Sequence, residues 1–158
     1  MTDDNTTPDP TNFMRDYDEK ERAFKALNES LRTHNKKTLF DALEAAGITS
    51  VLVYFDGSGD SGQVEEIDAR SGDAPRDFPA GTVVISRAFW GESEVRQEEC
   101  SVRDAVEALV YAFLAETHGG WENNEGAYGD FTFTVADRSI ILDYNERIET
   151  SEYTQHIF

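Results

Sequence analysis

One cysteine, Cys100, stands in 158 residues, so the chain can form no internal disulfide and its fold must rest on packing. Histidine is almost as scarce. His34, His118 and His156 are widely separated, and no Cys or His spacing suits a structural zinc, so no cofactor is implied. No run approaches the roughly 18 apolar residues of a membrane span. The opening MTDDNTTPDPTNF carries acids where a secretion signal needs a basic stretch followed by an apolar one. These absences predict a cytoplasmic protein with no membrane contact. Positive charge is also in short supply: 14 Lys and Arg face 32 Asp and Glu, a net −18. Residues 1–40 hold eight acids and seven bases, which leaves 24 acids and seven bases, a net −17, for the rest. Such a field repels phosphate, which disfavours direct nucleic-acid binding, and attracts basic protein surfaces or metal ions.

What is present reads as one α+β domain over residues 13–158 behind a polar, proline-bearing tail, residues 1–12. From about Asp16, the residues Tyr17, Phe24, Leu27 and Leu31 form a narrow helical stripe, with Arg32, Lys36 and Lys37 at its end. Thr38 with Asp41 three residues on has the pattern of a capping box, and Gly47 ends the helix that follows, so an N-terminal helix pair is predicted. Ser50 to Phe55 is apolar on both faces, as a central strand is. An eight-residue loop, Asp56 to Gln63, then leads to a weaker strand at Val64 to Ala69. A proline-bearing connector follows, and Thr82 to Ala88 and Glu94 to Cys100 form a further strand pair. Ser101 and Asp104 repeat the capping pattern before Val102 to Thr117, a helix with only a thin polar strip, and Gly119 is expected to cap its end. Phe131, Phe133 and Val135 alternate with threonines. Ile140, Leu142 and Tyr144 alternate in turn beyond an Ala136 to Ser139 turn, which predicts a hairpin with Asp143 facing solvent. Ser151 to Phe158 is a short strand or a docked tail. The architecture expected is the helix pair, a mainly antiparallel sheet of five to six strands, and the Val102 to Thr117 helix packed across one face.

Two glycine-rich loops carry the candidate chemistry. In Asp56-Gly57-Ser58-Gly59-Asp60-Ser61-Gly62, alternating oxygens at Asp56, Ser58 and Asp60 suit a hard cation. Ser61 and Ile67 nevertheless stand where a calcium loop needs glycine and a bidentate glutamate. Gly59-Asp60-Ser61-Gly62 resembles the nucleophile segment of chymotrypsin-like proteases over four residues only, without a suitable upstream histidine. A turn whose Asp and Ser bond their own backbone is the simpler account. The second loop, His118 to Gly129, follows the most apolar helix. His118 with Glu122 defines a candidate base, and with Asp56 and Asp60 a candidate site for a divalent ion that activates water. As a binding surface, the same loops present Trp121, Glu122, Asn123, Asn124, Glu125 and Tyr128 beside Asp56, Ser58 and Asp60. A core position for Trp121 is the competing placement. Cys100 suits a small buried apolar position, and Glu92, Glu94, Glu98 and Glu99 form an acidic strand edge that either stays solvated or imitates a row of phosphates.

The segments VYFDGSGDSGQ, residues 53–63, and LAETHGGWENNEG, residues 114–126, followed by Asp143-Tyr144-Asn145, resemble a family of small bacterial proteins without an assigned activity. The resemblance spans roughly residues 48–158 and implies that both loops belong to one domain. It implies no catalytic residue. Three functions are carried forward. The first is a non-enzymatic acidic protein that binds a basic surface on a nucleic-acid-handling partner, with a DNA-imitating inhibitor as its sharpest form. The second is a metal-assisted hydrolase using the two loops, and the third is a small-ligand module with its site at Trp121 and Tyr128.

Overall fold

The computed structural model describes residues 10–59, 61–123 and 125–158. The predicted helix pair is instead one continuous helix, α1, Pro10–Ala45. Thr38 does not cap. Between Pro10 and Gly47 there is neither glycine nor proline, so nothing breaks the ladder. Asp41 turns its carboxylate outward to Lys37 at 2.7 Å and to Arg138 at 2.6 Å rather than back to a helix N-terminus. The helix does end as expected. Gly47 takes a positive φ of 73°, Ile48 N–H donates to the Leu43 carbonyl and Gly47 N–H to that of Glu44, a Schellman closure. Because α1 begins at Pro10, residues 10–12 are helical, while residues 1–9 of the expected tail lie outside the described residues.

Five strands form one antiparallel sheet: β1 Ser50–Ser58, β2 Ser61–Ser71, the short β3 Ala74–Pro75, β6 Ala127–Thr134 and β7 Ser139–Glu146, in the order β3-β2-β1-β6-β7. The eight-residue loop predicted at Asp56 to Gln63 is absent. The ladder continues through Asp56↔Gln63 and Gly57↔Gly62 to Ser58↔Ser61, with Gly59 at φ 61° in the turn. Thr82 to Arg87, β4, and Arg96 to Ser101, β5, pair as expected but form a separate two-stranded sheet.

The second helix, α2, Val102–Thr117, has the predicted bounds, and Ser101 Oγ accepts from Asp104 N–H at 3.1 Å. Its C-cap is His118, and the positive φ predicted for Gly119 falls on Gly120. Both helices lie on the same side of the large sheet. Phe40 of α1 meets Phe133, and Phe113 of α2 meets Phe131. Tyr111 of α2 accepts at its hydroxyl the Val64 N–H, 2.8 Å away, beside the register shift at Tyr54/Phe55. Leu39, Phe40, Leu43, Val53, Phe55, Val110, Leu114 and Phe133 are fully buried in this layer, each contributing roughly 1.5–3 kcal/mol. Residues 151–158 form neither a strand nor a docked tail. Tyr153, Ile157 and Phe158 stay exposed.

Candidate functional site

The two glycine-rich segments do meet, through Trp121. Its indole is 9% exposed and meets Phe55 edge-on at 5.4 Å, so Trp121 is a core residue and not a projecting anchor. The glycines make the seat. A Cβ on Gly57 or on Gly62 would lie 2.5 Å from indole carbons, and one on Gly126, at φ 81°, would strike the Gly57 carbonyl. Between His118 and Gly126 the chain runs as successive tight turns, with Trp121 N–H on the His118 carbonyl, Asn123 N–H on Gly120 and Gly126 N–H on Asn123. Gly57 and Gly62 therefore serve close approach of backbone to ring, and Gly126 that of backbone to backbone.

The polar candidates divide. His118 lies flat on Tyr144, ring centroids 3.6 Å apart and planes 4° from parallel, at the rim of a hollow of about 180 Å³ that Asn123, Glu125, Glu146 and Arg147 also line. Tyr144 is held above its ordinary range by desolvation, then by the carboxylates of Glu146 and Glu122. Asp56 is engaged elsewhere: Arg147 holds its carboxylate at 3.0 Å and the Gly57 carbonyl at 3.0 Å, while the guanidinium sits over the Tyr128 ring at 4.8 Å. The Tyr54 hydroxyl also donates to Asp56, at 3.3 Å. Desolvation first, and the Asp56 charge next, raise the Tyr54 phenol. Ser58 and Glu125 are exposed, Glu122 is half-buried and Asn123 exposed, whereas Asp60 and Asn124 lie outside the described residues. Among the described residues no three His, Cys, Asp or Glu side chains stand close enough to share an ion. Cys100 is partly buried. Desolvation, then Glu98 and Asp104, push its thiol up, away from the thiolate a nucleophile needs. Arg147 is absent from the sequence-based candidates. Its only signal is that it is the one Lys or Arg after Arg138.

Beyond the loops, the face of the sheet opposite the helices is open, and alternation decides its composition. Val51, Val53, Phe55, Phe131 and Phe133 point to the core, so their neighbours point away. Across β2-β1-β6-β7 the register aligns Glu66, Tyr54, Asp130 and Asp143 in one row. A second row holds Asp68, Leu52, Thr132 and Ile141, and a third Gln63, Asp56, Tyr128 and Asn145. Asp130 and Asp143 are direct cross-strand partners, an arrangement of like charges that costs stability. Arg70 pairs with Asp68 and Arg147 with Asp56, but no base among the described residues pairs with Glu66, Asp130 or Asp143. The acidic edge at β5 differs: Arg96 takes Glu92, Arg87 takes Glu98 and Thr82 takes Glu99.

A family model described as a family of unknown function (DUF6878) matches residues 31–158. The chain belongs to this family. The match starts inside α1 and takes in every strand, α2, both loops and the open acidic face. No curated protein and no solved structure matches the chain. No helix among the described residues is long and apolar enough to cross a membrane.

Proposed function

We propose that this DUF6878 chain is a non-enzymatic, cytoplasmic protein whose open sheet face binds a basic surface on a nucleic-acid-handling partner and competes there with nucleic acid. The observation that carries it is the Asp130–Asp143 pair, two like charges set opposite each other with Glu66 in line and no base paired with them among the described residues. A fold gains nothing from such a row, whereas Lys and Arg on a partner would relieve it. Tyr54, Tyr128, Leu52 and Ile141 stand among the acids and supply the apolar and aromatic area that interface cores use. Neighbouring strands set Asp130 and Asp143 one spacing of about 4.8 Å apart, with Glu66 two spacings, roughly 10 Å, from Asp130 across Tyr54, a line of negative charge suited to imitating a phosphate backbone.

Capture from a lysate at low salt, with elution followed against ionic strength, tests it. The triple variant Glu66→Gln/Asp130→Asn/Asp143→Asn is compared with a variant losing three acids from α1. Retention of a basic nucleic-acid-binding protein, released by salt and by competing DNA and lost only in the sheet variant, is the expected result. Retention that ignores salt, or that both variants lose equally, would overturn it.

A further inference from the structure

Away from the sheet face, α1, α2 and the residues after β4 enclose a groove of about 780 Å³. That size lies within the roughly 300–1,000 Å³ of small-molecule sites. Its walls are aromatic: Tyr17 and Phe24 from α1, Phe113 from α2, and Phe89 and Trp90 beyond β4, with the Tyr17 and Trp90 rings 5.5 Å apart. Charge on the walls balances. Glu21, Glu29 and Glu116 are matched by Lys25, Arg32 and Arg87, in a chain that is otherwise −18. One donor is left over. Arg32 spends an Nη on Glu116 and lays its guanidinium over Phe113 at 5.8 Å, yet its Nε is buried with no hydrogen-bond partner among the described residues. A buried donor without an acceptor destabilises the fold, because its lost hydration is not replaced.

We propose that this groove binds a small, uncharged, flat-ringed apolar molecule whose hydrogen-bond acceptor meets the Arg32 guanidinium. Aromatic walls favour ring stacking. The body's negative field opposes an anion, and a cation would enter beside Arg32 and Lys25. This inference is independent of the acidic sheet face. Tyr17 and Phe24 on the groove's outer wall precede the stretch matched by the family model, which begins at residue 31.

Nile red, an uncharged ring system with a carbonyl acceptor, is the probe. Titration into the full chain should give saturable emission at one dye per chain. Ala112 and Ala115 line the groove on α2 and are exposed, so Ala112→Phe and Ala115→Phe fill it without opening the core. Each should weaken the dye about tenfold while circular dichroism stays unchanged. Arg32→Lys keeps a charge for Glu116 but removes the planar guanidinium, and should weaken the dye about fivefold. The proposal is overturned by non-saturable binding, by full affinity in either folded phenylalanine variant, or by full affinity in Arg32→Lys. It is equally overturned if sedimentation shows a dimer whose formation expels the dye, since a second copy would then fill the groove.

Discussion

Trp121 occupies the space that a side chain at Gly57 would need: a Cβ there would sit 2.5 Å from the indole Cζ3, and one at Gly62 2.5 Å from Cη2. The ring thus rests on two glycines paired across β1 and β2. Gly57→Ala and Gly62→Ala are each expected to cost about 1–3 kcal/mol through overpacking. Trp121→Ala should cost about 3–5 kcal/mol through the cavity it leaves. Urea unfolding measures all three, and an unchanged midpoint for either glycine variant would contradict the packing described.

Local patterns of this chain were legible where the decisive contacts are local. Ser101 with Asp104 predicts the start of α2, and the alternation through Phe131 and Tyr144 predicts the β6–β7 hairpin with Asp143 outward. The same kind of pattern misleads at Thr38, because a capping box competes with an uninterrupted helix only where the backbone has reason to break, and neither glycine nor proline supplies one. Gly57, Ser58 and Gly62 read as a loop, yet they are strand, and Trp121, some sixty residues on, covers the two glycines. Whether β4 and β5 join the main sheet is also decided by long-range packing: the Asn35 amide takes both the N–H and the C=O of Ser86 and ties β4 to α1. The aromatic groove leaves no local pattern for the same reason, its walls being far apart in sequence.

Arg147 joins the ends of three strands, bonding Asp56 and Gly57 of β1 by its side chain and the Gly126 carbonyl by its backbone N–H. About a third of the Arg147 and Asp56 side chains remains exposed, so solvent screens the ion pair. Arg147→Ala should therefore cost only about 1 kcal/mol. Arg147→Lys should recover little of it, because an ammonium cannot serve the carboxylate, the carbonyl and the Tyr128 ring together. Thermal unfolding of the pair checks this, and full rescue by lysine would reduce Arg147 to a point charge.

Asp41 supplies the acid-side dependence. The hydrogen bond from Lys37, and then that from Arg138, hold its carboxyl below the ordinary 3.8. A depressed folded value means stability that is present above pH 3.8 and lost as the pH falls through the lowered value. Carboxyl NMR titration should place the Asp41 midpoint below 3.8 in the parent and return it close to 3.8 in Lys37→Met/Arg138→Gln. A parent midpoint at or above 3.8 would refute the two contacts.

Asp130 and Asp143 set fold stability against recognition. As direct cross-strand partners with no base paired to them among the described residues, they repel each other, so neutralising one should stabilise the fold by about 0.2–1 kcal/mol. Asp143→Asn is therefore expected to raise the urea midpoint, and Asp130→Asn to do the same. The double variant should gain less than the sum, since either change alone removes the repulsion. If the row serves a basic partner, each stabilised variant should also elute from that partner at lower salt. Glu149→Gln removes the same charge from an exposed position beyond β7 and should alter neither property. A stabilised Asp143→Asn that keeps its partner at undiminished salt resistance would separate the charge row from binding, and a destabilised one would show that the pair is held by the fold for its own sake.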